Sequence, residues 1–263
     1  MATVEEKRAK FRRQHDSGFF VMPNAWDAGS ARRLAKLGFP AIASTSAGAA
    51  WALGKNDGDL TLGEVLAHLS QLVEAVDLPV NADFENGFAD SPQEVGANVQ
   101  KAVATGVASL SIEDWSGEKL YDLELAVERI AAARQVIDAS GTGTMLIGRS
   151  EHFRVPGLDV GECIRRAVAY ARAGADCLFV PMIVDPAALR ELVAAVAPKP
   201  VSVLLPSLDA DPFSFARLGV RRVSTGALLP SVAWRAFDAA AQTLADQALA
   251  DKATGLAAIP PTA

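Results

Sequence analysis

The chain has 263 residues, half of them apolar and 21% charged, with a formal net charge of −6, a pI near 5.2 and a mean hydropathy of +0.18. That balance can bury a large core and excludes an intrinsically disordered chain. It also leaves no basic face for nucleic acid or anionic lipid. The first residues, MATVEEKRAKFRRQH, are charged where a signal sequence needs an apolar run, and no stretch of about 18 apolar residues occurs. The expectation is a soluble cytoplasmic protein with no membrane or nucleic-acid partner.

In chain order, short apolar runs alternate with amphipathic segments, the pattern of a parallel sheet covered by helices. A first strand over 19–22 leads into MPNAWD, with no glycine-rich nucleotide turn, and a helix over 27–37 stops at Gly38. A strand over 41–44 precedes a long loop rich in small residues, which runs to a helix over 62–76. The next strand, 80–83, is followed by a helix over 91–105 that opens Ser-Pro and ends at Gly106. Strands over 107–112, 144–148, 177–180, 201–204 and 222–224 then alternate with helices over 122–138, 159–173, 186–196, 212–218 and 230–249. Eight such units predict a (β/α)8 TIM-type barrel, one domain over 1–249 with a tail over 250–263, and a site at the C-terminal strand ends. Cys163 and Cys177, without metal-site or disulfide spacing, read as small buried residues.

Three strand ends carry the polar residues of interest, in VNADFENGF, LSIED and MLIGRSEHF. They can bring together Asp83, Glu85, Glu113, Asp114, Arg149 and Glu151, a set of oxygen ligands and one fixed cation that suits a hard divalent metal and an anionic substrate. Arg149 can clamp a substrate carboxylate or hold Glu113 or Glu151 in an ion pair, and Asp83 can bind metal or backbone. Ser44, Thr45 and Ser46 offer hydroxyls and N–H groups to an oxyanion, or simply cap a helix. His152 is available for acid–base work or for packing. The segments 47–59 and 115–121 are candidate mobile covers, with glycines to permit closure. Lys55 and Lys119 fall in loops, a poor position for a Schiff base, and Ser224-Thr225-Gly226 lacks the paired glycine-rich loops of a phosphate site.

These residues resemble those of the isocitrate lyase/phosphoenolpyruvate mutase superfamily, in particular its small phosphonomutase-like and methylisocitrate-lyase-like members, over about residues 18 to 245. The resemblance rests on Ser44 after the second strand, Leu53-Gly54 with Asp57, Asn81-Ala82-Asp83, Glu113-Asp114, and Arg149 with Glu151. It implies Mg²⁺ (or Mn²⁺) held by Asp83, Glu113, Glu85 and Asn81. It further implies catalytic roles for Ser44, Arg149 and Asp57, and substrate contacts from Ser44, Thr45, Arg149 and Glu151. The expected substrate is a small 2-oxo or 2-hydroxy acid that passes through an enolate-like intermediate. C–C cleavage is favoured; the alternatives are phosphonomutase-type P–C chemistry and a non-catalytic carboxylate-binding barrel.

The sequence departs from the family pattern in three places. Asn81 stands where the family has its first aspartate, WSGEKLYDLEL replaces the lyase loop that carries a cysteine, and Pro181 stands at a family histidine position. The resemblance also implies a homo-oligomer, tetramer or dimer, with the C-terminal helix exchanged between subunits.

Overall fold

A proline decides how the sheet closes on itself. In the computed structural model, which describes residues 2–157 and 160–253, the first strand is split into β1 (Phe20–Met22) and β2 (Asn24–Ala25) around Pro23, which has no N–H to donate. The remaining strands are β3 (Ile42–Ser44), β4 (Val80–Asp83), β5 (Ser109–Glu113), β6 (Met145–Arg149), β7 (Cys177–Phe179), β8 (Val201–Leu204) and β9 (Arg222–Ser224). All pair in parallel, in the order β1-β9-β8-β7-β6-β5-β4-β3-β2. β1 joins the last strand in the register Phe20↔Arg222, while β2 joins β3 through Asn24↔Ala43. The Pro23 carbonyl still accepts from Ala43 N–H at 2.9 Å, so β1 and β2 serve as one strand of an eight-position TIM-type barrel.

The helices are α1 (Val4–Asp16), α2 (Ala28–Lys36), α3 (Ser46–Ala52), α4 (Leu62–Ala75), α5 (Pro92–Ala104), α6 (Leu123–Ser140), α7 (Val160–Arg172), α8 (Pro186–Val196), α9 (Pro212–Ala216) and α10 (Leu228–Ala253). Their starts follow from short polar side chains that accept orphan N–H groups: Asp27 from Ser30, Thr61 from Glu64, Ser91 from Glu94 and Asp185 from Ala188. Burial then follows helical spacing, as in α5, where Val95, Val99, Ala102 and Val103 are buried. The expected helix over 159–173 begins at Val160, since Asp159 lies outside the described residues, as do 254–263 of the expected tail. No helix among the described residues is long and apolar enough to cross a membrane. Both cysteines are buried, and burial pushes the Cys163 thiol up to about 12 and that of Cys177 up to about 11.

Two helices were not expected. The loop after β3 holds α3, because Thr45 caps its first turn and an alanine-rich run with high helix propensity follows. The charged N-terminal stretch forms α1, opened by a reciprocal cap between Thr3 and Glu6. This helix closes the barrel's N-terminal end: Lys7 donates to the carbonyls of Val73 and Val76 at 3.0 and 2.6 Å, and Arg8 to those of Val107 and Val103 at 3.0 and 2.6 Å. Phe11 packs inside the barrel with Phe20, Met22, Met145 and Ile147. Above that plug several inward positions are small or hydroxylic (Ala43, Ser111, Ser224), and a cavity remains in the upper interior.

Candidate active site

The open end gathers the carboxylates at the tips of β4, β5 and β6, where side chains two residues apart share a face. The Asp83 Oδ1 accepts from Arg149 Nη1 at 2.8 Å and its Oδ2 from Ser46 N–H at 2.9 Å. Arg149 Nε lies 2.5 Å from Glu151 Oε1 and 3.3 Å from Glu113 Oε2. Arg154 Nε reaches the other Glu151 oxygen at 2.6 Å, and its guanidinium lies 5.6 Å from the centre of the Trp115 ring. The side chains of Asp83, Glu113, Arg149 and Glu151 are between 7 and 16% exposed, so these charges act through little solvent.

Two cavities meet at Arg149, Asp57 and Ser46. The outer, about 400 Å³, is lined by Glu85, Glu113, Trp115 and Arg154; the inner, about 210 Å³, runs into the barrel past Asn81, Asp83, Phe179 and Arg222. A larger surface hollow of about 760 Å³, between α3 and α10, has none of this carboxylate set on its walls. The converging ion pairs, rather than size, mark the site.

The electrostatics show too many acids for the cations present. Burial, aided by Asp83 and Asp57, pushes the Glu85 carboxyl up to about 7. Glu113 is also raised, by burial foremost, and Glu151 is lowered although burial opposes it, because the guanidinium of Arg149 stands beside it. Glu113 and Glu151 share Arg149, and the shorter contact goes to Glu151, so Arg149 lowers Glu151 more than it offsets the burial of Glu113. Glu85 adopts φ 45° and its Oε1 is buried with no hydrogen-bond partner among the described residues, a costly arrangement just past a strand tip.

The expected site residues divide by layer. Asp57, Asp83, Glu85, Glu113 and Arg149 all line the two cavities. Ser44 turns to the backbone, its Oγ accepting from Asp83 N–H at 2.8 Å, and Thr45 lines the inner cavity while its Oγ1 caps α3. Ser46 is the hydroxyl in the cleft, bonded to Asp57 at 2.9 Å. Glu151 sits behind Arg149, and Asn81 lies one layer deeper, where its Oδ1 accepts from Ser109 Oγ at 2.7 Å and from Arg222 at 3.4 Å.

Asp114 does not join the cluster. Strand alternation turns it outward, where it accepts from Glu151 N–H at 2.7 Å, Ser150 Oγ at 2.9 Å and Tyr170 OH at 2.6 Å and so fixes the segment after β6. His152 is buried in a 3-10 turn and lines neither cavity. Lys55 is held by Glu64 at 2.6 Å. The N–H groups of Thr225 and Gly226 are taken by Asn24 Oδ1 at 2.9 and 2.8 Å, so no phosphate cradle is left there.

Arg154 and Arg222 were not read as site residues from the sequence. Arg154 had a signal in its i,i+3 spacing from Glu151, and Arg222 in being a charged residue on a strand of the barrel.

The phosphoenolpyruvate phosphomutase family model matches residues 11–245. The chain belongs to that family, within the isocitrate lyase/PEP mutase superfamily. It is 33% identical to 2-methylisocitrate lyase of Escherichia coli over 79% of this chain and 72% of that one. A crystal structure of a provisionally assigned lyase/mutase from Burkholderia cenocepacia J2315 superposes with a TM-score of 0.87 at 39% identity, covering 91% of this chain and 88% of that one. The structure of 2,3-dimethylmalate lyase does so with a TM-score of 0.84 at 26% identity, covering 94% and 89%. These relatives are lyases and mutases, and the two named for substrates act on small carboxylates.

Proposed function

We propose that this family member is a Mg²⁺- or Mn²⁺-dependent enzyme that cleaves a carbon–carbon bond in a small 2-oxo or 2-hydroxy acid. The observation that carries the reading is the excess of buried carboxylates around one guanidinium at the mouth of an enclosed cavity. As the side chains stand, no group of three or more His, Cys, Asp or Glu among the described residues is arranged to hold a metal, because Arg149 lies between them. The donor chemistry nevertheless fits a hard divalent cation: all the donors are carboxylate oxygens, and Glu85 Oε1 is buried with no hydrogen-bond partner among the described residues. Asp83, Glu85 and Glu113 are the residues to hold it, while Asn81 is engaged with Ser109 and Arg222.

Such a cation supplies Lewis-acid polarisation of the acid's 2-oxygen. Arg149, displaced from part of its acid cage, pairs with the substrate carboxylate, and its planar fork suits a bidentate contact. Ser46, whose N–H donates to Asp83, serves the developing oxyanion by turning its hydroxyl proton from Asp57 to that oxygen. Trp115 and Arg154 cover the outer cavity and limit water. The segment 115–121 supplies neither cysteine nor histidine, and Pro181 in the inner wall has no proton to give, which favours a substrate other than isocitrate or methylisocitrate.

Calorimetry with Mg²⁺ and oxalate, beside turnover of a panel of oxo and hydroxy acids, tests the reading. The expectation is Mg²⁺-dependent oxalate binding that Asp83→Ala abolishes, together with turnover of a panel member. Unchanged binding in that variant removes the site as drawn, and binding without any turnover identifies a carboxylate-binding barrel instead.

A further inference from the structure

Arg149 is claimed by three acids at once. Its Nη1 donates to Asp83 at 2.8 Å, and its Nε lies 2.5 Å from Glu151 and 3.3 Å from Glu113. A guanidinium that is also to take a substrate carboxylate has to be released by these acids at little cost. Asp83 and Glu113 turn to the cation in the proposed site and so give Arg149 up. Glu151 lines neither cavity and gains nothing from that cation.

Nor is Glu151 placed to withdraw. Its N–H donates to Asp114 Oδ1 at 2.7 Å, and its side chain is 7% exposed. Once Arg149 turns to a substrate, Glu151 would be a buried charge short of its counter-ion, and that cost would be charged against binding.

Arg154 removes the cost. The 3-10 turn over His152–Arg154 folds it back on Glu151: the Arg154 N–H donates to the Glu151 carbonyl at 3.0 Å, and Nε reaches Glu151 Oε2 at 2.6 Å. Arg149 takes the other oxygen, Oε1, so each guanidinium has its own. Arg154 is seated on its far side by Trp115, 5.6 Å from the ring centre. Trp115 is itself held by a bridge to Leu120 across a turn in which Ser116 N–H donates to the Lys119 carbonyl at 2.8 Å.

We infer that Arg154 is a positioning residue for substrate binding: it stands in as the counter-ion of Glu151, so that Arg149 can turn its guanidinium to the substrate carboxylate. It acts through Glu151 and Arg149 rather than by touching the ligand. The inference rests on the proposed reading of Arg149 as the substrate clamp.

The test is calorimetry on the full chain, with Mg²⁺ alone and with oxalate at saturating Mg²⁺, in a double-mutant cycle over Arg154 and Glu151. Arg154→Met should weaken oxalate binding about fivefold or more. Mg²⁺ alone should bind that variant as tightly as wild type or more tightly, because a positive charge near the acids is gone. Parallel weakening of both ligands marks a merely structural role and overturns the inference. Arg154→Lys should recover part of the oxalate affinity. In the Glu151→Gln background no carboxylate is left to compensate, so adding Arg154→Met should change oxalate affinity by less than about twofold. An equal loss in both backgrounds overturns the inference, since Arg154 then acts on the ligand directly or through Trp115. Should Arg154→Met not fold, Arg154→Gln carries the same cycle. Arg149→Lys separates the two proposals. If it binds oxalate as well as wild type, the clamp is wrong and the inference goes with it, whereas a loss in Arg149→Lys with none in Arg154→Met removes the inference alone.

Discussion

Replacing Arg149 by Met removes the one cation common to Asp83, Glu113 and Glu151 but keeps much of the side-chain volume. Removing one partner from a buried ion pair costs about 3 to 5 kcal/mol, because the remaining charge is left uncompensated. The three carboxylates here are between 7 and 15% exposed, so that range applies at pH 8 in metal-free buffer. Arg149 holds the Glu151 carboxyl down against burial; without it burial raises that pKa above the unfolded value, so the protonated Glu151 contributes stability that is present at low pH and lost as pH rises through that interval. Each group changes the balance by up to about 1.4 kcal/mol per pH unit, so the deficit should be smaller by about 1.5 kcal/mol or more at pH 5.5. Urea unfolding at the two pH values measures it, with Arg154→Met as control. That side chain is 45% exposed, so its loss should cost about 1 kcal/mol or less. A deficit that is the same at both pH values, or an equal loss in the control, refutes the reasoning.

Two further predictions concern the supports of the site. The pKa of His15 is held down at about 3, against 6.5 when free, so its neutral form contributes stability that is present above pH 6.5 and lost as pH falls below it. His15→Gln should flatten the acid side of the stability profile, and an unchanged slope between pH 6.5 and 4 would count against that assignment. At Gly48 an added Cβ would come within 2.8 Å of Trp26 Cβ and Thr45 Cγ2. Gly48→Ala should therefore cost about 1 to 3 kcal/mol in thermal unfolding and weaken oxalate binding by moving Ser46; a neutral effect on both would show that α3 can shift freely.

The barrel was legible in the sequence because its signals are local. Apolar strands, glycine stops and polar helix starts recur, and the strand tips carry Asp83, Glu113 and Arg149 in order. What escaped depends on contacts far along the chain. The N-terminal stretch is charged enough to read as solvent-exposed, yet Lys7 and Arg8 are buried because their heads find backbone carbonyls more than sixty residues away. Arg149 is ambiguous in sequence for a related reason: whether it holds a substrate or its neighbours depends on distances that no spacing encodes, and in the structure it holds Asp83, Glu113 and Glu151. Asp114 was misplaced by one step of strand alternation, which sends adjacent residues to opposite faces.

The way α1 is fastened has a consequence for how the chain assembles. Lys7 and Arg8 bind main-chain oxygens at residues 73, 76, 103 and 107, which are presented together only after α4 has ended and β5 has begun to pair. Phe11 and His15 then face Arg222, on the last strand of the barrel. A segment synthesised early thus has no seat until much later parts of the chain are in position, and it becomes a late latch with high contact order. Because the latch grips backbone oxygens at the C-terminal ends of α4 and α5, its hold depends on where those helices stop rather than on which side chains surround the carbonyls.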